Sequence, residues 1–169
     1  SRKLHMQSLG AMQHFDFNDP AAYSYEQAAL PIRDLGLGMD VVEQQVRRAI
    51  FNVVARNQDD HVKNISFLMD RSGTWRLSPA YDDAYSYNPA GVWTRDHQMS
   101  LAGKRNDFTH DDLMAFASNV GVKAVRAKRA IEEVVEVVER WRAFAEEAGV
   151  EASDMSRIEK TFRMTLRRD

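Results

Sequence analysis

A single strand–turn–strand pattern interrupts a sequence whose other patterned segments have helical periodicity. Residues 65–69 and 74–78 are short apolar or β-branched runs, and residues 70–73 (Asp-Arg-Ser-Gly) lie between them. Gly73 can supply the positive φ that such a turn requires, and Pro79 ends the second run. The sequence therefore predicts a mostly α fold with one small β-hairpin, an α+β arrangement of helices around the hairpin.

The helices are predicted from apolar residues spaced three and four positions apart. Asp40 and Thr109 are suitable N-caps, whereas Pro31 should kink any helix that contains it. Residues 1–23 show no such period, and we expect an irregular entry there. We expect a long loop over 80–107, with a brief strand at 97–101. The predicted helices cover residues 25–35, 40–56, 110–119, 123–147 and 154–167, the last with Arg167 and Arg168 at its end.

Length and charge limit the class of protein. The 169 residues suit one domain, which we assign to residues 1–169, and the net charge of −2 gives no general attraction to nucleic acid or membranes. There is no cysteine, which excludes a disulfide framework and a thiolate zinc site. No apolar run approaches the roughly 20 residues of a membrane span. We expect a cytoplasmic protein with no membrane partner and no direct contact with nucleic acid.

The most informative polar residues are Asp59, Asn64 and Asp82, which flank the hairpin. An aspartate followed five positions later by an asparagine has the spacing of a kinase catalytic loop. In such a loop the aspartate accepts the proton of the attacking hydroxyl, and the asparagine oxygen faces Mg²⁺. A second aspartate beyond a hairpin then supplies a charged oxygen ligand, which suits a hard cation. Each residue alone is more typical of a turn or cap, but their order together indicates phosphoryl transfer.

These segments resemble the HipA family of kinases. The resemblance rests on residues 57–64 (Asn-Gln-Asp-Asp-His-Val-Lys-Asn) and residues 75–82 (Trp-Arg-Leu-Ser-Pro-Ala-Tyr-Asp), and it extends over 4–101. It implies a protein-kinase-like C-terminal lobe. The implied roles are the catalytic base for Asp59, magnesium ligands for Asn64 and Asp82, and contact with the ATP phosphates for His61 and Lys63, so that Asn64 and Asp82 also belong to the cofactor site.

The resemblance also implies a cellular role. HipA-like proteins are serine/threonine protein kinases that use ATP and Mg²⁺, and they are toxins of type II toxin–antitoxin systems. The implied partners are a protein substrate, possibly an aminoacyl-tRNA synthetase, and a HipB-like DNA-binding antitoxin. The sequence departs from common protein kinases at Asp83, because no phenylalanine or glycine follows Asp82. No glycine-rich phosphate loop precedes Asp59, so we expect the N-terminal kinase lobe to be absent and the chain alone to be inactive.

Three other functions remain compatible with the same residues. The lobe could be a binding module that docks an antitoxin without chemistry, or it could transfer phosphate to a small molecule, since such enzymes share the Asp-x4-Asn spacing. Asp59, Asp60 and His61 could instead bind zinc, although three adjacent loop residues rarely converge on one ion. Activity after the missing lobe is restored would separate the first alternative from a kinase.

Overall fold

A computed structural model describes residues 3–16, 19 and 22–167. It confirms the expected class, because short and long helices surround one small antiparallel sheet. The strands are β1 (His5–Ser8), β2 (Ser66–Met69) and β3 (Trp75–Leu77). The helices are α1 (Leu9–Met12), α2 (Ala29–Asp34), α3 (Met39–Ala55), α4 (His110–Asn119), α5 (Ala124–Glu139), α6 (Trp141–Glu147) and α7 (Ala152–Glu159), followed by a 3-10 turn at Met164–Leu166.

The sheet has one strand more than predicted. The hairpin of β2 and β3 forms as expected, with Phe67 opposite Leu77. β1 pairs with the other side of β2, where Ser8 lies opposite Ser66, so the prediction of an irregular entry over 1–23 was wrong for this strand. The sequence of β1 has no apolar alternation, since the strand lies at an exposed edge and forms only by pairing with residues about 60 positions away.

Helix α3 leads directly into the candidate site. Its N-cap is Gly38, not Asp40 as predicted, and Asp40 lies in the first turn, where its carboxylate faces the positive end of the helix dipole. At the other end, Arg56 adopts the left-handed conformation (φ 62°) and turns the chain out of the helix. The buried face of α3 packs against α5 and consists of Val42, Gln45, Val46, Ala49, Ile50, Val53 and Val54.

The C-terminal helices are shorter than predicted. The helix expected over 123–147 is broken at Arg140 into α5 and α6, and α7 ends at Glu159 instead of continuing to 167. The break lets Trp141 donate its indole N–H to the carbonyl of Met155 (3.2 Å), which holds α6 against α7. The early end of α7 lets the backbone N–H of Arg163 bond the carbonyl of Val54 (3.0 Å) at the end of α3. Of the two predicted terminal basic residues, Arg168 lies outside the described residues.

The other structural predictions differ in outcome. Residues 1–23 also contain the short helix α1, and the helix predicted over 25–35 is reduced to α2, which contains Pro31 near its start. Thr109 caps α4 in a reciprocal capping box with Asp112. The segment 80–107 is a long loop, but the strand expected at 97–101 is reduced to isolated bridges at Ser100 and Leu101. In the described part of the chain, no helix has the length and apolar character needed to cross a membrane.

Candidate active site

The loop between α3 and β2 carries the first two candidate residues. Asp59 lies at its exposed turn, with about half of its side-chain surface (52%) accessible, and Asn64 lies five residues later. The side-chain amide N–H of Asn64 donates to the backbone carbonyl of Asp59 (2.9 Å). This bond closes the loop on itself and uses the amide N–H of Asn64, so the side-chain oxygen Oδ1 is the atom that could bind a cation. The Asp-x4-Asn spacing thus produces a closed loop.

Hydroxyl groups of neighbouring segments hold the backbone of this loop. The hydroxyl of Ser86 accepts hydrogen bonds from the backbone N–H groups of Gln58 (2.7 Å) and Asp59 (2.9 Å). The hydroxyl of Tyr81 donates to the carbonyl of Lys63 and lies 2.5 Å from the hydroxyl of Ser66. The backbone that carries Asp59 is therefore fixed although its side chain is exposed, as a catalytic carboxylate requires.

Asp82 lies where the chain leaves the hairpin, and its backbone is in the left-handed region (φ 57°). Its carbonyl accepts a hydrogen bond from the side chain of Asn57 (3.3 Å), which begins the Asp59 loop. A non-glycine residue in this conformation costs free energy, and such residues concentrate at functional sites. The two loops are thus joined at Asn57, while the convergence of the Asp82 carboxylate with Asn64 remains a prediction.

The two basic candidates differ in their surroundings. His61 is partly buried, and its Nε2 lies 4.0 Å from a carboxylate oxygen of Asp59. Its other ring nitrogen, Nδ1, is buried and has no hydrogen-bond partner among the described residues. Lys63 is exposed at the surface of the loop, and its carbonyl is held by Tyr81. Their predicted contacts with ATP phosphates remain predictions.

Asp60 has a role that the sequence did not reveal. It is 2% exposed, and its carboxylate accepts three hydrogen bonds: from the Tyr25 hydroxyl (2.6 Å), from Nδ1 of His97 (2.6 Å) and from the backbone N–H of Gln98 (2.8 Å). Burial, together with the charge of Asp60, raises the pKa of Tyr25 well above its ordinary value, which keeps the phenol as a donor. Asp60 therefore connects the Asp59 loop to Tyr25, which lies just before α2, and to the loop over 80–107.

The network continues through His97 to the C-terminal segment. Arg163 donates to Nε2 of His97 (2.9 Å), so this ring nitrogen must accept and Nδ1 must carry the proton that is given to Asp60. Arg163 also donates to the carbonyl of Val53 (2.7 Å) and to the side chain of Asn106 (2.9 Å). Burial, with a smaller contribution from Arg56, lowers the pKa of Arg163 to about 10. His97 is therefore a buried structural histidine whose two ring nitrogens are both hydrogen-bonded.

The geometry argues against the zinc alternative. The Asp60 carboxylate is buried and already accepts three hydrogen bonds, whereas the Asp59 side chain is exposed, so an ion shared with His61 would have to disrupt the Asp60 network. Within residues 3–16, 19 and 22–167, no group of three or more His, Asp or Glu side chains is arranged to hold a metal. Asn64 and Asp82 offer oxygen atoms only, which suits magnesium better than zinc.

Several cavities adjoin the segment that follows Asp82, and two of them also touch Ala80. A polar cavity of ≈ 20 Å³ lies between α3 and the Asp59 loop and contacts Asn64, His61 and Asp83. A larger, mainly apolar cavity of ≈ 570 Å³ lies between α3 and α5 and touches the candidate site only at Asp83 and Ala80. Partial burial raises the pKa of Asp83, while the neighbouring Arg48 opposes this effect. The larger cavity does not contain Asp59, Asn64 or Asp82.

Comparison with known proteins agrees with this geometry. Residues 1–142 match the family model "HipA-like C-terminal domain". The chain is also similar to a solved structure of the Shewanella oneidensis MR-1 toxin–antitoxin system HipA, HipB and its operator DNA complex, with 17% identity and a TM-score of 0.74. That match covers 97% of this chain and 42% of the other, and at this identity it shows the fold alone. No curated protein sequence matches the chain at a significant level.

Proposed function

Because the chain belongs to the HipA-like C-terminal domain family, we propose that it is the catalytic lobe of an ATP- and magnesium-dependent serine/threonine protein kinase. The observation that carries this proposal is the closed loop in which the Asn64 side chain bonds the carbonyl of Asp59 (2.9 Å) while Asp59 stays exposed. The chain spans 42% of the similar HipA chain, so the activity of a whole kinase is part of the proposal.

In this mechanism Asp59 accepts the proton of a protein hydroxyl as the hydroxyl attacks the γ-phosphate. The exposure of the Asp59 side chain permits substrate approach. Its backbone is fixed because the Asp59 N–H donates to the hydroxyl oxygen of Ser86 (2.9 Å). Asn64 and Asp82 would hold magnesium, which neutralises phosphate charge when it is bound. His61 and Lys63 would face the phosphates. The residues of the chain therefore supply position and charge, which are what phosphoryl transfer mainly requires.

Magnesium-dependent nucleotide binding tests the role of Asp82. In the protein joined to a HipA-type N-terminal lobe, Asp82→Asn should abolish magnesium-dependent ATP binding measured by calorimetry, because it removes the charged ligand. Asparagine tolerates the left-handed conformation (φ 57°), so the substitution leaves the backbone undisturbed. Asp59→Asn is the matched control and should retain ATP binding but lose transfer to a protein hydroxyl. Equal ATP affinity in wild type and Asp82→Asn would contradict the assignment.

We further propose that the lobe belongs to a toxin controlled by a HipB-like DNA-binding antitoxin. The family supports this, and the similar solved structure is a complex of HipA, HipB and operator DNA. The protein substrate, possibly an aminoacyl-tRNA synthetase, is proposed from the family alone. A pull-down with the tagged protein tests this pairing. Co-purification of a helix-turn-helix protein encoded beside it would support the pairing. No transfer by the wild-type chain joined to an N-terminal lobe would instead favour a docking lobe without this chemistry, whereas transfer that persists in Asp59→Asn would contradict Asp59 as the base.

A further inference from the structure

Four unpartnered polar atoms belong to residues that line the small cavity beside the Asp59 loop. Both amide atoms of Gln45 are buried without a hydrogen-bond partner in the described chain, and so are Nε of Arg48 and Nδ1 of His61. All three residues line the cavity of ≈ 20 Å³. Gln45 is only 3% exposed, so water at the surface cannot satisfy it. Buried polar groups are almost always hydrogen-bonded, so something must complete these bonds.

The charges around the cavity decide which species fits. Arg48 and the amide N–H₂ of Gln45 are donors that oppose a cation. Asp60 and Asp83, which also line the cavity, oppose an anion. A molecule that both donates and accepts satisfies both groups, because it can accept from Arg48 and donate to Gln45 Oε1. One water needs about 10–15 Å³ and two to four polar partners, and this cavity offers both.

We propose that this cavity is a built site for a single buried water that bridges α3 to the Asp59 loop. Gln45 and Arg48 hold the water from the helix, and His61 holds it from the loop. Asp60 cannot replace it as an acceptor, because its carboxylate already receives three hydrogen bonds. The water therefore orients His61, whose Nε2 faces Asp59 at 4.0 Å. The existence of the site does not depend on the proposed kinase activity.

The sign of a stability change tests the proposal. Gln45→Met keeps the length of the side chain but removes its polar atoms. If the cavity holds water, the variant should unfold at a lower urea concentration. The reason is that the water loses its contacts with Gln45 and then bonds Arg48 and His61 less well. If the cavity is dry, the same change should raise the urea midpoint, because it removes two buried unsatisfied atoms. Gln44→Met, on the exposed side of the same helix, is the matched control and should change little.

A crystal structure of the 169-residue chain at a resolution that shows ordered water supplies the second test. We expect one water within hydrogen-bonding distance of Gln45, Arg48 and His61 in wild type, and its loss in Gln45→Met. A dry cavity, a raised urea midpoint for Gln45→Met, or an ion in the cavity after soaking with Mn²⁺ or phosphate would each overturn the proposal. None of these measurements involves phosphoryl transfer, so the proposed function can fail while the water site stands.

Discussion

Adjacent aspartates in the same loop should respond in opposite ways to the same substitution. Asp60→Asn should destabilise the fold strongly, whereas Asp59→Asn should leave its stability nearly unchanged. The reason is that Asp60 is 2% exposed and accepts three hydrogen bonds, while the Asp59 side chain is 52% exposed and lies 4.0 Å from Nε2 of His61. The same Asp→Asn substitution thus compares a buried, hydrogen-bonded carboxylate with an exposed one.

The magnitude follows from the bonds that an amide cannot make. In Asp60→Asn, Oδ1 can still accept from the Gln98 N–H, but an NH₂ group replaces the oxygen that accepts from Tyr25 and His97. Tyr25 can rotate its hydroxyl to accept, but His97 cannot change tautomer while Arg163 donates to its Nε2. Hydrogen bonds to charged groups contribute about 1.5–3 kcal/mol each, and two buried donors then face each other. We expect a loss of about 3–5 kcal/mol, which corresponds to roughly two such bonds.

Urea denaturation followed by circular dichroism and tryptophan fluorescence measures this loss. With an m-value of about 2 kcal/mol/M, the midpoint of Asp60→Asn should fall by roughly 1.5–2.5 M. Asp59→Asn should stay within about 0.5 kcal/mol of wild type, as exposed substitutions usually do. If the two probes give different transitions, unfolding is not two-state and only midpoints should be compared. A loss below about 1 kcal/mol in Asp60→Asn would show that the network does not hold the loop.

Two further predictions concern other contacts. Because the pKa of Tyr25 is raised, Tyr25 should stay protonated in the folded protein as pH rises above 10, while it ionises in the unfolded chain. The free energy of unfolding should therefore fall above pH 10, and Tyr25→Phe should remove that part of the fall. The phenolate absorbance of folded wild type and folded Tyr25→Phe should be equal, and a smaller amplitude in the variant would contradict this. Thr109→Ala removes the cap of α4 and should cost about 1 kcal/mol in urea denaturation; no loss would mean that the capping box is not formed in solution.

Local patterns predicted most of the secondary structure but few of the long-range contacts. The hairpin, α3 and α4 follow from apolar spacing, turn residues and the Thr109 cap, all of which act over a few positions. β1 could not be predicted, because His5–Ser8 has no apolar period and forms only against β2. The break at Arg140 could not be predicted either, because Arg140 and its neighbours are good helix formers and the turn depends on packing of Trp141 near α7.

The same distinction applies to the candidate site. Asp59, Asn64 and Asp82 could be selected as candidates because the pattern that points to them is their spacing along the chain. Asp60 gave no signal, since it is one more acidic residue in a polar loop, and its buried partners Tyr25 and His97 are 35 and 37 positions away. A histidine in a long loop, 0% exposed, is recognised as part of a network only when the fold is known.

The C-terminal segment is part of the support of the candidate site, although the family model ends at residue 142. Arg163 lies beyond that boundary, yet it bonds the carbonyl of Val53 at the end of α3 and the ring of His97. Both acceptors are fully buried, so without Arg163 they would lack partners, and His97 would lose the contact that fixes its tautomer. The hydrogen bond that His97 donates to Asp60 therefore depends on Arg163, which lies about 100 positions beyond the loop in sequence. Hydrogen bonds thus link the side chains of Arg163, His97 and Asp60, and through them the C-terminal segment supports the loop residue next to Asp59.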